Sequence, residues 1–358
     1  MDKTCNSPKP SVFSFFKLRR KNRTSAERPK DIKSWIIHGF SEFFGTLLLT
    51  LLLAGLSTNI TVVKGQGSPL TIENFLLHPI VVGFYVGFIA VGLVLFIFNR
   101  WSSDLNPAVS MYRYLCGSQT GWYVSYKIFM QMLAAIVAGA IIFAVGKATA
   151  VHHIGYLSNQ PWNTITATKK AYYFFRGDWT PNYAMLSGSI WIFFIELIMT
   201  AILLFPIFSP NIYDKYRDIL IMFIISLAVW MGLLGGSVAI NPFRGLAQQL
   251  PVLAFENNIT TDGYLQIQNT LQGYDVIKDA TNSVSAEAVS VYQNSVISAT
   301  ISMLLGGLFA PAFYMFMQGL TARWFNPCVL KIIGFKNKKA ECMEKCEESN
   351  QNGKIEHK

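Results

Sequence analysis

The sequence predicts an all-α membrane protein with six transmembrane helices and two re-entrant half-helices arranged as an inverted repeat. Hydrophobic residues make up 52% of the 358 residues and gather in long runs, whereas charged residues make up only 14%. Ordinary soluble domains carry about 25% charged residues. Six runs are long enough to cross a bilayer, which takes about 20 apolar residues. Two Asn-Pro pairs, one in each half of the chain, begin stretches too short to cross.

The predicted spans divide the chain into a membrane domain and two tails. The first stretch of the chain is polar and basic, and it is too long and polar for a cleavable signal peptide, so the first span is expected to stay in the mature chain. The spans are residues 35–57, 79–99, 121–147, 187–208, 219–236 and 292–319. The expected domains are a basic tail at 1–34, a channel-like membrane domain at 35–320 with repeat halves about 35–147 and 187–319, and a C-terminal tail at 321–358.

The distribution of Lys and Arg predicts that both tails are cytoplasmic. With six spans the tails share one side of the membrane. That side carries ten Lys or Arg in the N-terminal tail, two in each short loop and eight in the C-terminal tail, which makes 22 against six in the outer loops. An excess of basic residues marks the cytoplasmic side. The net charge of +10 therefore indicates membrane topology, and no nucleic-acid partner is expected.

The five cysteines show no zinc-type or redox CxxC spacing. They are Cys5, Cys116, Cys328, Cys342 and Cys346. A metal site at the two cysteines of the polar tail is the alternative, but we expect no metal and no cofactor.

The two long outer loops are open to either of two interpretations. The loops at 148–186 and 252–291 are polar without strong periodicity, and loops of this length are often functional or disordered. Asn59 and Asn258 begin sequons in the outer loops, which fits the predicted orientation. A third sequon at Asn22 lies in the cytoplasmic tail and shows how readily such triplets arise by chance.

Two pairs of motifs repeat in the same order in both halves of the chain. Span 1 contains Glu42-Phe-Phe-Gly-Thr46 and span 4 contains Glu196-Leu-Ile-Met-Thr200; one span later come Asn106-Pro107-Ala108 and Asn241-Pro242-Phe243. With three spans per half, the second half enters the membrane from the opposite face. Such inverted repeats are common among transport proteins and place the functional site at the repeat interface.

Each Asn-Pro pair is typical of a helix start. Asn is a favoured N-cap and Pro suits the first helical position. Two half-helices from opposite faces would meet at the midplane, where their N-terminal dipoles penalise cations and the asparagine amides serve as donors. Two ordinary loop caps are the alternative, but the matched pair favours half-helices.

These motifs resemble those of the major intrinsic proteins, the aquaporins and aquaglyceroporins. The segments that carry the resemblance are Ser41-Glu-Phe-Phe-Gly-Thr46, Leu105-Asn-Pro-Ala-Val-Ser110, Glu196 with Thr200, and Ala239-Ile-Asn-Pro-Phe-Arg244. The resemblance spans about residues 35–320. It implies the aquaporin fold and a passive channel for water, glycerol or similar small polyols, assembled as a homotetramer in the lipid bilayer of the plasma membrane. It also implies a central constriction formed by Asn106, Pro107, Ala108, Asn241, Pro242 and Phe243.

The resemblance places a selectivity filter around Arg244. A cation in the first turn of a helix is unfavourable for folding, and this cost suggests a function. Counting by the family's spacing adds Val86, Val229 and Val238, whereas a slip of one residue in span 5 would bring in Trp230 instead. A ring of valines beside one arginine is wider and more apolar than the histidine-containing ring of water-selective members, which favours glycerol.

Two buried carboxylates are expected to support the pore loops. Glu42 and Glu196 lie inside apolar spans, which is costly unless they are hydrogen-bonded, and the resemblance implies that they accept bonds from loop backbone, with Gln131 in a similar role. A catalytic or proton-relay role is the alternative. Six glycines are expected to allow close helix packing: Gly83, Gly87, Gly235, Gly236, Gly306 and Gly307.

Three positions depart from the family's pattern. Phe243 replaces alanine in the second motif, where its bulk could fill space near the midplane. Gly245 follows the arginine where glycerol facilitators usually have aspartate. Asp104, at the expected inner mouth, replaces a histidine; it could draw cations or cap the half-helix, and we expect the cap.

Other functional classes are less well supported. A strictly water-selective channel and an ion-coupled secondary transporter are the alternatives, and the latter would need coupling groups within the spans. Only Glu42 and Glu196 are obvious candidates for these, and the resemblance accounts for both. No catalytic cluster is found, so the protein is not expected to be an enzyme.

Overall fold

The computed structural model describes residues 10–62, 69–75, 78–149, 156–175, 181–210, 212–256, 266–267, 270–271, 285–329, 331–336 and 339. Two compact units are present. Leu18–Phe313 forms the larger unit and contains the candidate site. The smaller unit comprises Met1–Lys17 and Tyr314–Lys358, and within it the ring centroids of Phe13 and Phe316 lie 6.1 Å apart.

The described chain is almost entirely helical. Its helices are α1 (Ile32–Ala54), α2 (Ile72–Phe75), α3 (Pro79–Phe84), α4 (Gly92–Phe98), α5 (Pro107–Leu115), α6 (Gly121–Ala148), α7 (Thr164–Phe175), α8 (Pro181–Phe208), α9 (Asp214–Gly235), α10 (Pro242–Leu250) and α11 (Ala286–Leu320). Tyr85–Val91 joins α3 to α4 as a π-helical stretch, and similar stretches follow α10 at Pro251–Phe255 and α11 at Thr321–Phe325. A short hairpin pairs β1 (Asn59–Val62) with β2 (Pro69–Thr71).

Six helical segments within the described residues are long and apolar enough to cross a membrane. They are Ile32–Ser57, Ile80–Phe98, Gly121–Ala148, Met185–Phe208, Asp214–Leu233 and Ala286–Lys336. The predicted number and order of spans are therefore confirmed. Their hydrophobic side chains are exposed over much of each helix surface, which is the expected arrangement where lipid replaces water as the solvent.

The ends of these helices follow from local side chains. Asp31 caps α1 by accepting a hydrogen bond from the main-chain N–H of Ser34 at 2.8 Å, and this bond lowers the pKa of Asp31. Helix α9 ends at Gly236, whose φ of 86° is left-handed, a conformation that favours glycine. Gly236 therefore terminates a helix.

Other glycines bring helices together. A Cβ at Gly83 would meet the Trp230 ring, and one at Gly87 would meet the main chain of α9 at Met222. In the second half, a Cβ at Gly306 would meet the main chain of α8, and one at Gly307 would meet Pro242 at the start of α10. The second span of the first half and the third span of the second half are thereby held close to their neighbours.

The two half-helices α5 and α10 have the same construction. Asn106 and Asn241 are their N-caps: the Asn106 side chain accepts from the N–H of Ala108 at 2.9 Å, and the Asn241 side chain accepts from that of Phe243 at 3.1 Å. The preceding residues, Leu105 and Ile240, have φ of 50° and 58°. Such values are uncommon for branched side chains, so both loops hold a strained conformation at the same position.

The described part of the loop at 148–186 is anchored to the end of α1. It contains α7, and its Asn159 amide donates to the Ser57 hydroxyl at 3.2 Å and to the Gln248 carbonyl at 2.7 Å. The Asn59 amide donates to the Leu157 carbonyl at 2.7 Å. Asn59 is 0% exposed, so its sequon offers no accessible nitrogen, whereas Asn258 lies outside the described residues.

Candidate functional site

Glu42 holds the loop that precedes α5. Its carboxylate accepts hydrogen bonds from the main-chain N–H groups of Asp104 at 3.0 Å and Leu105 at 2.9 Å. The Ser102 hydroxyl and the Gln131 amide, the latter at 2.8 Å, also donate to it. Glu42 is fully buried, and these four donors satisfy the oxygens that burial removes from water.

Glu196 does the same for the loop that precedes α10. It accepts from the main-chain N–H groups of Ala239 and Ile240, both at 2.8 Å, and from the Ser237 hydroxyl. Thr200, one turn further along α8, donates to the Ile240 carbonyl at 3.1 Å. The expected role of both carboxylates as loop supports agrees with these contacts, which leave neither one as an unpaired proton carrier.

The two asparagines connect the loops to each other. The Asn106 amide donates to the Ile240 carbonyl at 3.1 Å, and the Asn241 amide donates to the Leu105 carbonyl at 2.6 Å. Each half-helix is thus capped by an asparagine whose oxygen faces its own helix and whose nitrogen bonds the opposite loop. The half-helices therefore meet with their N-termini together.

A cavity of about 210 Å³ extends past the two asparagines at which the half-helices meet. Its wall is mostly apolar but also contains polar and charged side chains, among them the two asparagines and, besides Arg113 and Arg244, the charged residues Arg217 and Asp218. Lining side chains include Leu49, Leu53, Leu56, Glu73, Val82, Val86, Val94, Asp104, Asn106, Val109, Arg113, Ile225, Val229, Val238, Asn241 and Arg244. An apolar tunnel with sparse donors suits small solutes that carry both hydrocarbon and hydroxyl groups.

The four residues expected to form the filter all line this cavity. Arg244 is buried, and its guanidinium donates to the main-chain carbonyls of Leu53 at 3.1 Å and Val238 at 3.4 Å. Val86 and Val229 are buried in the same apolar cluster. Trp230 instead donates to the Ile80 carbonyl at 3.0 Å, so the structure places Val229, and not Trp230, in the cavity wall.

Only the asparagines, among the six residues expected at the central constriction, line the cavity. Pro107, Ala108 and Pro242 are buried within the helix starts. Phe243 is 8% exposed and packs in a cluster with Ala54, Ala135, Ala138, Ile142 and Ala247. Three alanines of that cluster come from α1 and α6, so small neighbours accommodate the ring, and it leaves the cavity open.

The expectation that Asp104 caps the first half-helix is wrong. Asn106 is the N-cap, and the Asp104 carboxylate accepts hydrogen bonds from Arg113 Nε at 2.8 Å, from the Ser110 hydroxyl at 2.9 Å and from Lys127 Nζ. A charge-assisted bond is stronger than a neutral one, so Arg113 on α5 and Lys127 on α6 draw the carboxylate away from the main chain.

Four further residues at the site were missed by the sequence reasoning. Lys127 was detectable as a lone cation inside an apolar span, whereas Arg113 looked like an ordinary residue of an inner loop. Trp162, whose ring centroid lies 4.9 Å from the Arg244 guanidinium carbon, comes from the loop at 148–186, and Glu73 comes from the connection between the first two spans. No local pattern indicated that these loops return to the cavity.

A second, more polar cavity of about 470 Å³ lies beside the filter. Glu73 and Val238 line both cavities, and Trp162, Lys170 and Gln248 line the second. Burial raises the pKa of Glu73, and Arg244 and then Lys170 oppose this shift. Burial likewise lowers the pKa of Lys170. Glu73 and Lys170 therefore share the second cavity, and Arg244 lies in the wall of the first.

The described residues contain no group of three or more His, Cys, Asp or Glu side chains that could hold a metal ion. Cys116 and Cys328 are free thiols, and Cys5, Cys342 and Cys346 lie outside the described residues.

Comparisons with known proteins bear on this arrangement. A family model described as MIP, major intrinsic protein, matches residues 30–260. A comparison with curated protein sequences finds no match. Among solved structures, the chain is similar to an X-ray structure of the aquaglyceroporin from Plasmodium falciparum, with 14% identity and a TM-score of 0.46, over 78% of this chain and 96% of that one.

Proposed function

The chain belongs to the major intrinsic protein family, whose members are channels for water and small solutes, and on that premise we propose that it conducts glycerol and similar small polyols as well as water. The observation that carries this proposal is the wall around Arg244. Val86, Val229 and Val238 line the same cavity as the Arg244 guanidinium. Flux through such a cavity is passive and needs no ion gradient.

Glycerol that enters the cavity must exchange its hydrogen bonds with water for bonds with the protein. Its hydroxyls lose water and need donors, because an unmade hydrogen bond costs about 1–3 kcal/mol in an apolar setting. Arg244 supplies donors at one level, and Asn106 with Asn241 supplies them at the next, while the valines contact the carbon backbone. Water gains little from the valines, so the same wall favours the polyol.

A strictly water-selective pore would need a narrower ring of filter residues, or more hydrogen-bond donors in that ring, than this cavity has. The valine side chains are short, and Phe243 is packed away from the cavity. Ion-coupled transport is disfavoured because Glu42 and Glu196 are occupied by loop donors.

Membrane placement follows from the charge count and the family. We infer that the protein lies in the plasma membrane with both termini cytoplasmic, as the excess of basic residues in the tails indicates. We also infer a homotetramer with one pore in each subunit, as in the family that the motifs resemble. The tails at 1–34 and 321–358 would then flank a channel domain at 35–320.

The decisive experiment is stopped-flow light scattering on proteoliposomes. Vesicles containing the protein should shrink faster than protein-free vesicles in an impermeant osmolyte, and should re-swell faster in glycerol. A linear dependence of glycerol flux on concentration, with or without an ion gradient, distinguishes a channel from a coupled transporter. Water flux without any glycerol flux above the protein-free control would contradict the polyol proposal.

A further inference from the structure

Lys127 is a buried cation that belongs neither to the carboxylates that hold the pore loops nor to the proposed filter. It lies on α6 within a membrane span and is 1% exposed. A charge at this depth is expensive unless it is paired, and such residues usually have a functional role. Its ammonium group forms an ion pair with Asp104 and lies 4.9 Å from the centroid of the Tyr123 ring.

Asp104 joins Lys127 to a second cation. The Asp104 carboxylate is 4% exposed, and it accepts from Lys127 through one oxygen and from Arg113 Nε through the other, at 2.8 Å. A second carboxylate, Glu42, accepts from the Asp104 main-chain N–H at 3.0 Å, so the two cations lie beside two carboxylates. Glu42, Asp104 and Lys127 are buried, and the charge of this group that is most exposed to the cavity is that of Arg113.

Arg113 presents unused donors to the cavity. Its side chain is 36% exposed and lines the same cavity as the two asparagines. Asp104 takes its Nε, and its guanidinium carbon lies 5.2 Å from the centroid of the Phe208 ring. Its two terminal amino groups have no hydrogen-bond partner among the described residues. They are therefore available to a solute.

A cation at the position of Arg113 occurs in the first half of the inverted repeat and not in the second. Arg113 comes seven residues after Asn106, and the residue seven after Asn241 is the neutral Gln248. Conversely, Arg244 comes three residues after Asn241, and the residue three after Asn106 is Val109. Seven residues of helix cover about 10 Å, so Arg113 lies well beyond the asparagines, on the side away from Arg244.

We propose that Arg113 is a second selectivity residue, which Asp104 and Lys127 position at the end of the cavity opposite Arg244 and which excludes cations there. This inference rests on the proposed channel function. It predicts that the cation barrier has two separate parts, so that removing Arg244 alone leaves much of the barrier in place.

The test measures methylammonium flux relative to glycerol flux in the same proteoliposomes. The variants are Arg244→Val, Arg113→Gln and the two combined. The double variant should raise the methylammonium-to-glycerol ratio by about tenfold over Arg244→Val, as expected for a unit charge at close range in a partly desolvated site. Combining Arg113→Lys with Arg244→Val should keep the ratio near that of Arg244→Val, because the charge is retained.

Arg100→Gln combined with Arg244→Val is the matched control. Arg100 is exposed, lies near the same loop and does not line the cavity, so the ratio should stay at the Arg244→Val value. Equal ratios in Arg244→Val and in the Arg113→Gln double variant would overturn the proposal. The proposal would also be overturned if the methylammonium-to-glycerol ratio rose in the Arg113→Gln, Arg244→Val double variant and rose equally when Arg113→Lys took the place of Arg113→Gln.

A folding defect in Arg113→Gln is handled by a second variant. Lys127→Met combined with Arg244→Val removes one positive charge from the same group while keeping Arg113, and it should also raise the ratio. An unchanged ratio in that folded protein would overturn the positioning role of Lys127. A wild-type protein without water or glycerol flux would contradict the channel function and this inference with it, whereas a conducting protein with an unresponsive ratio contradicts this inference alone.

Discussion

Glu42 and Glu196 occupy equivalent positions in the two halves of the protein, where each carboxylate accepts from the main-chain N–H groups of the two residues that precede an asparagine. A hydroxyl four residues before the same asparagine, from Ser102 or Ser237, completes each set. The two pore loops are therefore held by the same bonds in opposite orientations. The asparagine amides keep their positions because the strained residues before them are fixed by carboxylates from spans.

Removing either carboxylate should destabilise the protein. We expect Glu42→Ala and Glu196→Ala each to lower the thermal unfolding midpoint in detergent, because each leaves two main-chain donors unsatisfied at about 1–3 kcal/mol apiece. Glu287→Ala, at an exposed carboxylate in the first turn of α11, should leave the midpoint unchanged. If both variants unfold at the wild-type temperature, the support role is wrong.

Truncating Phe243 should affect stability and not selectivity. Phe243 packs among alanines of α1, α6 and α10, so Phe243→Ala creates a void worth about 3–5 kcal/mol. The unfolding midpoint should fall, while the ratio of glycerol to water permeability stays at the wild-type value. A large rise in that ratio would mean that the ring restricts the passage.

Substituting Val229 should change which solute passes. Val229→His narrows the cavity that Val229 lines together with Arg244 and adds a donor, so glycerol flux should fall while water flux persists, which raises selectivity for water. Val229→Leu narrows the wall without a donor and should lower both fluxes. Stopped-flow measurements of the two variants separate the effect of width from that of hydrogen bonding, and an unaltered glycerol flux in both would exclude Val229 from the filter.

Both termini should be inaccessible from outside the cell. Cys328 is exposed and lies in the predicted cytoplasmic tail, so a membrane-impermeant maleimide should label it only after permeabilisation. Lys147→Cys, introduced on a background without other cysteines, should react on intact cells. Labelling of Cys328 on intact cells would reverse the predicted orientation.

The spans and half-helices were predictable because their causes are local. Long apolar runs identify helices in lipid, and an asparagine followed by proline identifies a helix start. The six spans and the fold they form are confirmed, and the structure starts α5 and α10 at Pro107 and Pro242. Counting by the spacing of the family that the motifs resemble also predicted Val86 and Val229, and both line the cavity.

The parts that could not be predicted depend on contacts between distant segments. Asp104 was expected to cap α5 because an acid near a helix start commonly does so. Its actual partner Lys127 lies 23 residues away on α6, and no periodicity reports that pairing. Trp162 reaches Arg244 from a long loop whose path depends on side-chain bonds such as that of Asn159.

The positive φ values of Leu105 and Ile240 bear on any effort to build a minimal pore. A backbone of this kind, in residues other than glycine, is retained only when its surroundings impose it. A synthetic peptide copying either loop would relax and turn its asparagine away. Grafting the two loops into a designed helical bundle would therefore require transplanting a matching carboxylate on a neighbouring helix for each of them.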